Sequence, residues 1–364
     1  MIQRHRARAL LVLILLVLAV LRGIVSDQAA CQMRRHTVQR CEDSAVTHLP
    51  PKLEVVPKDL SGYRQGNTGV DYVHRFESGK PGPHVLINAL THGNEICGMV
   101  AATHLLDTQV RPRIGTLTVS FANVQAYETF DAANPFDSRQ IVHNLNRIWS
   151  PEWLDGVENS PELRRAREMR PVVTAADHIL DIHSTSQDVT PFWVYPAFER
   201  NAAAALAMGQ PAVHLVMPGG LGSGTPLIQH GAHGEVDGLG RAGVAIVVEC
   251  GQHFLRASAD MATAVALDFL AHFGLIAGDA AASKPAQRAK PQRFELLHSY
   301  VIKTEAFQFV RPLIGFETFA KGELIATDGA DEIRALCDDC TVLMPARKAI
   351  VGREGLYLTR PMPA

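Results

Sequence analysis

The stretch HVLINALTHGNE, residues 84–95, joins an apolar run directly to a group of polar side chains. The turn signal PGP at 81–83 precedes it, and the apolar part has the length of a buried strand. His92 and Glu95 follow that strand and lie three residues apart, a spacing that lets both side chains converge on one metal ion. Open α/β sheets carry their sites at the carboxyl ends of strands. The stretch therefore predicts a buried strand that ends in a candidate metal site.

Similar apolar strands recur along the chain and alternate with helical segments. Strands are predicted at LTVSF (117–121), HILDI (178–182) and VAIVV (244–248). Helices are predicted over residues 98–106, after the pair Ser160-Pro161, and over 257–273. Because strands that alternate with helices form sheets covered by helices, the sequence predicts an α/β fold with a mostly parallel or mixed sheet.

Composition divides the chain into four parts. We expect an α/β domain with the candidate metal site over residues 51–277, a linker over 278–291 and a small β-rich domain over 292–364, with residues 1–50 set apart. The linker, GDAAASKPAQRAKP, consists of small residues, prolines and scattered basic residues. Short apolar runs separated by turn residues follow it, and they predict a small all-β C-terminal domain.

The N-terminal part, residues 1–50, is set apart because of its apolar run at 9–21. Arginines precede ALLVLILLVLAVL, and a positive flank before a run of this length is typical of a secretory signal or a membrane anchor. The alternative is a non-native extension, read from a start codon chosen too far upstream. If residues 1–30 are retained, the chain is exported or anchored to a membrane. Otherwise we expect a cytoplasmic protein that does not contact membranes.

The overall composition excludes several classes of protein. The 364 residues are 47% hydrophobic and 20% charged, with a mean hydropathy of +0.02, which argues against a disordered chain or a protein with many membrane spans. A net charge of −2 gives no general attraction to nucleic acid. Six cysteines are too few for a disulfide scaffold in a chain of this length. We expect a globular protein that acts on a small molecule, and assembly into a homo-oligomer is left open.

A second histidine motif follows a predicted strand downstream. DIHST (181–185) places His183 just past that strand. Together with His92 and Glu95 it makes a His₂Glu set, which is a common zinc ligation. Asp181 lies two residues before His183 and on the same face of a strand, where a carboxylate orients an imidazole.

Two further groups supply a base and a carboxylate site. Glu249, in VVECG (247–251), ends the most apolar strand, and a carboxylate in such a place should face a cleft or a partner. A Glu beside a metal-bound water is the general base that metal-assisted hydrolysis needs. In NLNR (144–147), Arg147 binds a carboxylate through two parallel hydrogen bonds, and Asn146 adds a third.

Each group also has a structural alternative. The His–Glu spacing and the Asn–Arg pair arise often by chance. For Asp181 the alternative is a structural group that is hydrogen-bonded in the core. For Glu249 the alternative is a solvated residue at the rim of the sheet. Because three of the four groups stand at strand ends in one α/β pattern, their combination favours a site.

Taken together, the motifs THGNE, NLNR, DIH and VVECG, in this order, resemble those of the aspartoacylase and succinylglutamate desuccinylase family, relatives of the zinc carboxypeptidases. The resemblance covers residues 80–275, and the family's C-terminal β domain agrees with the β-rich tail. It implies a zinc-carboxypeptidase-like fold and one Zn²⁺ per chain, held by His92, Glu95 and His183. It further implies a general base at Glu249 and substrate contacts from Asn146, Arg147 and, on a looser match, Tyr357.

Two positions depart from the family's motifs. Asn144 replaces the Asp that begins the family's D-L-N-R. The family's N-P-R-A segment, whose Arg polarises the scissile carbonyl, reads NVQA here, so Gln125 stands in the place of that Arg and brings no charge. Arg139, from the following loop, is the alternative donor. For the Arg that the family uses to bind the acyl group's carboxylate, the expected match is Arg241.

These features predict a zinc-dependent amidohydrolase acting on a linear C–N bond outside peptides. The expected activity is deacylation of an N-acyl amino acid or of a similar small amide that carries a carboxylate. One alternative is a metallocarboxypeptidase that trims short peptides with the same metal and base. The other is a zinc-binding protein that has lost catalysis, which the missing arginine at Gln125 suggests.

Overall fold

The computed structural model describes residues 52–236, 243–278 and 289–363. The predicted signal or anchor segment lies outside the described residues, as do most of the predicted linker and Arg241.

Seven strands form the α/β part of the main sheet. They are β1 (Val73–Glu77), β2 (His84–Ala89), β3 (Thr116–Phe121), β4 (His178–Thr185), β5 (Phe192–Pro196), β6 (Val213–Met217) and β7 (Ala245–Gln252). Their spatial order is β1-β3-β2-β4-β7-β5-β6. Strands β3, β2, β4 and β7 run parallel, whereas β1 pairs antiparallel with β3 and β5 pairs antiparallel with β7. The sheet is therefore mixed, within the fold class predicted from the sequence.

Helices cover both faces of this sheet. They are α1 (Ile96–Asp107), α2 (Val124–Tyr127), α3 (Pro151–Leu154), α4 (Pro161–Ala175), α5 (Glu199–Met208) and α6 (Arg256–His272). Helix α4 begins as predicted, because the side chain of Ser160 accepts a hydrogen bond from the backbone of Leu163 and Pro161 occupies the first turn. Of the helices in the described ranges, none is both long and apolar enough to cross a membrane.

Two hydrophobic cores lie on opposite faces of the sheet. Alternate residues of β2 point to opposite sides, so Val85 and Ile87 enter one core and Leu86 enters the other. The first core is covered by α1 and α6 and the second by α4. Strands buried on both faces are apolar throughout, which explains why HVLINAL and VAIVV show no polar alternation.

The C-terminal region is all-β and extends the same sheet. Its strands are β8 (Gln292–Val301), β9 (Gln308–Phe309), β10 (Glu317–Phe319), β11 (Leu324–Asp328), β12 (Asp331–Arg334), β13 (Cys340–Leu343) and β14 (Glu354–Pro361). Strand β8 pairs parallel with β6, and β14, β13 and β10 follow it, which gives one sheet of 11 strands. Strands β12, β11 and β9 form a separate small sheet. The linker composition thus marks a connection between strands of one sheet, and residues 52–364 form one compact unit.

Candidate metal centre and active-site cleft

Three side chains converge at the carboxyl ends of β2 and β4. His92 and Glu95 stand on the turn between β2 and α1, and His183 lies near the end of the neighbouring parallel strand β4. His92 Nδ1 is 2.8 Å from Glu95 Oε1, and His183 Nδ1 is 2.8 Å from Glu95 Oε2. One atom from each residue lies within 4.8 Å of the others, and all three residues are buried. The structure therefore brings the three predicted ligands together.

The turn that carries His92 depends on a glycine. A Cβ atom on Gly93 would lie 2.4 Å from the carbonyl oxygen of Ser138 and 2.4 Å from the backbone nitrogen of Tyr127. Its own N–H donates to the carbonyl oxygen of Arg139, 3.1 Å away. Any side chain at this position would push the turn away from the 137–139 segment, so the glycine of THGNE is required by close packing.

The outer ring nitrogens of both histidines are held by acceptors. His92 Nε2 donates to Asn144 Oδ1 and His183 Nε2 donates to Asp181 Oδ2, each at 2.8 Å. Asp181 is fully buried and also accepts a hydrogen bond from Asn88. Because these acceptors fix the protonated nitrogen on the outer side of each ring, the Nδ1 atoms face each other across Glu95. The Asn at the first position of NLNR therefore still provides the oxygen that orients His92.

The donor set fits a divalent transition metal. Glu95 Oε2 lies 2.8 Å from His183 Nδ1 but makes no hydrogen bond of good geometry within the described residues, which leaves this oxygen available to a metal ion. Burial and the charge of Arg139 lower the pKa of His92 to about 4, which keeps the imidazole neutral. Burial opposes ionisation of Glu95, but the two histidines outweigh it and hold its pKa well below the usual value. The neutral imidazole of His92 and the ionised carboxylate of Glu95 are already in the forms that bind zinc. Burial would lower the pKa of His183, but Asp181 and Glu95 outweigh it and hold this pKa well above its usual value, so a metal ion at this imidazole would displace a proton.

Glu249 stands beside this group on β7. It is the parallel register partner of His183, and it is 6% exposed rather than solvated at the rim. Its Oε2 atom has no hydrogen-bond partner in the described part of the chain. Burial raises the pKa of Glu249 to about 8. Such a carboxylate is a stronger base than an exposed glutamate.

Arg147 is fixed between the metal group and the C-terminal strands. Its Nε donates to Glu354 Oε1 at 2.6 Å and its Nη2 donates to the hydroxyl of Tyr357 at 3.1 Å. Ser223 also contacts the Glu354 carboxylate and accepts from Arg147 Nε. Asn146 is held by the backbone N–H of Leu227, and its Nδ2 atom lies 3.5 Å from His183 Nε2. The structure thus places Asn146, Arg147 and Tyr357 in one cleft with the metal group.

Sequence reasoning missed two of these partners. Glu354 lies three residues before Tyr357 in EGLY, and its buried carboxylate pairs with Arg147. Burial alone would raise the pKa of Glu354, but the charge of Arg147 and the hydrogen bonds from Ser223 and Arg147 lower it to about 2. The sequence signal for Glu354 was its position three residues before the expected tyrosine, which could have placed it in the same cleft. Ser223, in a glycine-rich loop, gave no comparable signal.

The positive charge next to Glu95 comes from Arg139 and not from a residue at position 125. Arg139 Nη1 donates to Glu95 Oε1 at 3.0 Å, and its side chain lines the cleft. Gln125 is exposed on α2 and borders a separate depression beside Arg164. The expectation that Gln125 faces the substrate therefore does not match its position, because the start of α2 turns that side chain outward. Position 241 is outside the described residues.

The cleft has a volume of about 390 Å³. The α/β strands contribute the metal group and Glu249, and the C-terminal region contributes Phe316, Met344, Glu354 and Tyr357. Further basic side chains, Arg347, Lys348 and Arg353, also line it. A cleft of this size that is closed by a second region of the chain suits a small anionic molecule.

Comparisons with solved structures identify the fold. Succinylglutamate desuccinylase from Vibrio parahaemolyticus superposes with a TM-score of 0.59 at 16% identity, over 80% of this chain and 87% of that chain. An aspartoacylase family protein from Mesorhizobium loti gives 0.52 at 19% identity, over 83% and 93%. The product-bound ectoine utilization protein EutE from Ruegeria pomeroyi gives 0.53 at 17% identity, over 81% and 92%. At these identities the similarity establishes a shared fold.

The sequence itself identifies the family. A search of curated proteins finds no match to it. The catalytic-domain model of the succinylglutamate desuccinylase/aspartoacylase family matches residues 81–266, more than half of the 364 residues. The matched range contains THGNE, NLNR, DIH and VVECG, whose side chains meet in the cleft. The chain therefore belongs to the succinylglutamate desuccinylase/aspartoacylase family.

Proposed function

We propose that this chain is a zinc-dependent deacylase that hydrolyses the amide bond of an N-acyl amino acid or of a similar small amide carrying a carboxylate. The observation that carries the proposal is the convergence of His92, Glu95 and His183 beside the buried Glu249. The family is named after enzymes that remove acyl groups, which supports this reaction class.

One Zn²⁺ ion per chain would be held by His92, Glu95 and His183 and would supply Lewis-acid activation of water and of the scissile carbonyl. Glu249 takes a proton from the water whose oxygen attacks the carbonyl carbon. It then gives that proton to the amide nitrogen as the C–N bond breaks. The raised pKa of Glu249 makes its carboxylate a stronger base than an exposed glutamate, and the positive charge of a bound Zn²⁺ would lower this pKa toward neutral pH, where both the basic and the acid form are available.

Arg139 supplies positive charge where the carbonyl oxygen becomes negative. Its guanidinium lies in the cleft next to Glu95, so a carbonyl bound beside the metal group comes within its reach. A charged donor that faces developing negative charge is a large term in acyl-transfer catalysis. Loss of catalysis was an alternative because Gln125 stands where the family has an arginine. With Arg139 in the cleft, a positive charge is present without an arginine at position 125.

Arg147 binds the carboxylate of the substrate. Its Nε, Nη1 and Nη2 atoms each donate to protein groups, which fixes the guanidinium and leaves a second N–H on Nη1 and on Nη2. A fixed fork of two N–H groups matches a carboxylate and holds the amide in place for attack. Walls from the C-terminal region favour a small N-acyl amino acid over a peptide.

The test is hydrolysis by the full-length protein after zinc loading. N-acyl amino acids and short peptides of matched composition are compared, and Glu249→Gln is the matched inactive variant. We expect amine release from N-acyl amino acids, with at least a 10³-fold loss of kcat in Glu249→Gln at unchanged zinc content. Full activity in Glu249→Gln, or release from peptides alone, contradicts the proposal.

A further inference from the structure

The part of the cleft floor beyond Glu249 is apolar. It consists of Phe192 and Val194 on β5, Met217 on β6, Val247 on β7 and Ile228 in the turn at 227–229, and we call these residues the apolar floor. Phe192 is the register partner of Glu249 and Val194 is the partner of Val247, so these side chains share the face of the sheet that carries the general base.

The order of strands places this floor on the side of Glu249 away from the metal group. The sequence of neighbours is β4-β7-β5-β6. His183, Glu249 and Phe192 are register partners on the first three strands, and Met217 on β6 pairs with Pro196, four residues beyond Phe192 on β5. Neighbouring strands are about 4.8 Å apart, and the apolar floor therefore reaches about 10 Å beyond the strand of Glu249. This is longer than an acetyl group needs.

The apolar floor is buried and carries no charge. Its five residues are between 0% and 8% exposed and belong to one hydrophobic core. All cleft-lining residues that β5 and β6 contribute are apolar. Arg147 is paired with Glu354 and Arg139 with Glu95, and the other basic side chains that line the cleft come from the C-terminal region and not from the strands that form the floor. A second carboxylate placed on this floor would lose its water to apolar side chains, whereas an apolar group would gain from the same burial.

We propose that the substrate carries, in addition to its carboxylate, an apolar group longer than a methyl that lies on the apolar floor. This inference rests on the proposed deacylase function and names its substrate class. The substrates are N-acyl amino acids that are apolar on one side of the scissile amide. The apolar group is either the acyl chain or the side chain of the amino acid, and both present the same chemistry to the floor.

Two substrate series distinguish these sources. The first keeps glutamate constant and lengthens the acyl group from acetyl to butanoyl, hexanoyl and octanoyl. The second keeps acetyl constant and varies the amino acid from glycine to leucine and phenylalanine. If the acyl chain lies on the floor, kcat/KM rises in the first series by about fourfold for each added methylene that the floor covers. If the side chain of the amino acid lies there, kcat/KM rises in the second series instead. Pentanoyl against succinyl, which are similar in length, tests the effect of charge, and we expect pentanoyl to be preferred by at least tenfold.

A matched pair of variants connects the preference to the floor. Met217→Gln keeps the length of the side chain but makes it polar, and it should lower the hexanoyl-to-acetyl ratio of kcat/KM by about tenfold. Met261→Gln makes the same change on α6, in the other core, and should leave the ratio unchanged. Thermal melting of both variants checks that each is folded.

Binding distinguishes failure of this inference from failure of the proposed function. The same series is titrated by calorimetry into zinc-loaded Glu249→Gln, so affinity is measured without turnover. Affinity that rises with the apolar group supports the inference even if hydrolysis is absent. Flat affinity and flat kcat/KM in both series, or succinyl above pentanoyl, overturns the inference and leaves deacylation standing if acetyl compounds are hydrolysed.

Discussion

At the scale of single residues, the positive charge beside Glu95 comes from Arg139 and not from position 125. The motif NVQA placed Gln125 where an arginine was expected, and local matching could not show that Arg139 enters the cleft from a later loop. The backbone of Arg139 is tied to the THGNE turn by the N–H of Gly93, which is a contact between distant parts of the sequence. The candidate ligands His92, Glu95 and His183 were predictable because each stands at or just after the carboxyl end of a buried strand.

The role of Arg139 leads to the first prediction. Arg139→Gln removes the charge but keeps a donor, and we expect kcat to fall by about 10² to 10³ fold with zinc retained. Gln125→Ala, on the exposed surface of α2, should behave like the unchanged protein. Steady-state kinetics of the two variants checks this. A large loss in Gln125→Ala with none in Arg139→Gln would show that the assignment is reversed.

A second prediction concerns Asn144, which orients His92 through its Oδ1 atom. Asn144→Asp keeps an acceptor at this position, so metal affinity should stay within a few fold. Asn144→Leu removes the acceptor, and affinity should fall by about 10- to 100-fold. Competition with a zinc chelator measures both. Equal affinities in the two variants would mean that the hydrogen bond to His92 does not position the ring.

At the scale of elements, the strands themselves were easier to predict from the sequence than the order in which they pair in the sheet. The apolar runs at 84–90, 178–182 and 244–248 all form strands, because burial on both faces leaves a strong local signal. The pairing of β6 with β8 leaves no such signal, since either strand could in principle end a sheet. The composition at 278–291 suggested two domains, whereas β8 continues the sheet of the first part. Strand β14 consequently brings Glu354 and Tyr357 to Arg147.

The contact between β14 and Arg147 gives a third prediction, on acid stability. The pKa of Glu354 is about 2 in the folded chain, against about 4.5 for an ordinary glutamate, so its ionised form stabilises the fold above pH 4.5. This contribution, on the order of 2–3 kcal/mol, is lost as pH falls from about 4.5 to 2. Glu354→Gln should therefore be less stable than the unchanged protein at pH 6, and the difference should shrink below pH 4. Urea unfolding at several pH values measures it, and a constant difference would contradict the pairing.

At the scale of the whole molecule, buried histidines set the response to mild acid. Burial lowers the pKa values of His178, His214 and His233 to about 4, against 6.5 for an ordinary histidine. Between these values the unfolded chain binds more protons than the folded one, so stability falls as pH drops from about 6.5 to 4. His92 in the metal group has a pKa lowered to the same value, so the acid sensitivity is shared between the sheet and the metal group.

The fourth prediction follows from these histidines. Each contributes up to about 1.4 kcal/mol per pH unit to the slope of unfolding free energy between pH 6.5 and 4. His214, which is hydrogen-bonded to Tyr195, gives the clearest single test. In His214→Gln the slope should be smaller than in the unchanged protein, as measured by chemical unfolding at closely spaced pH values. An unchanged slope would mean that His214 is protonated in the folded state.

The central claim is that His92, Glu95 and His183 together hold one metal ion beside Glu249. Its most direct test is the zinc content of the purified full-length protein, measured by elemental mass spectrometry for the unchanged chain, Glu249→Gln and His92→Ala. We predict about one zinc per chain in the first two and a small fraction of that in His92→Ala. No zinc in the unchanged protein after loading, or undiminished zinc in His92→Ala, would contradict the account.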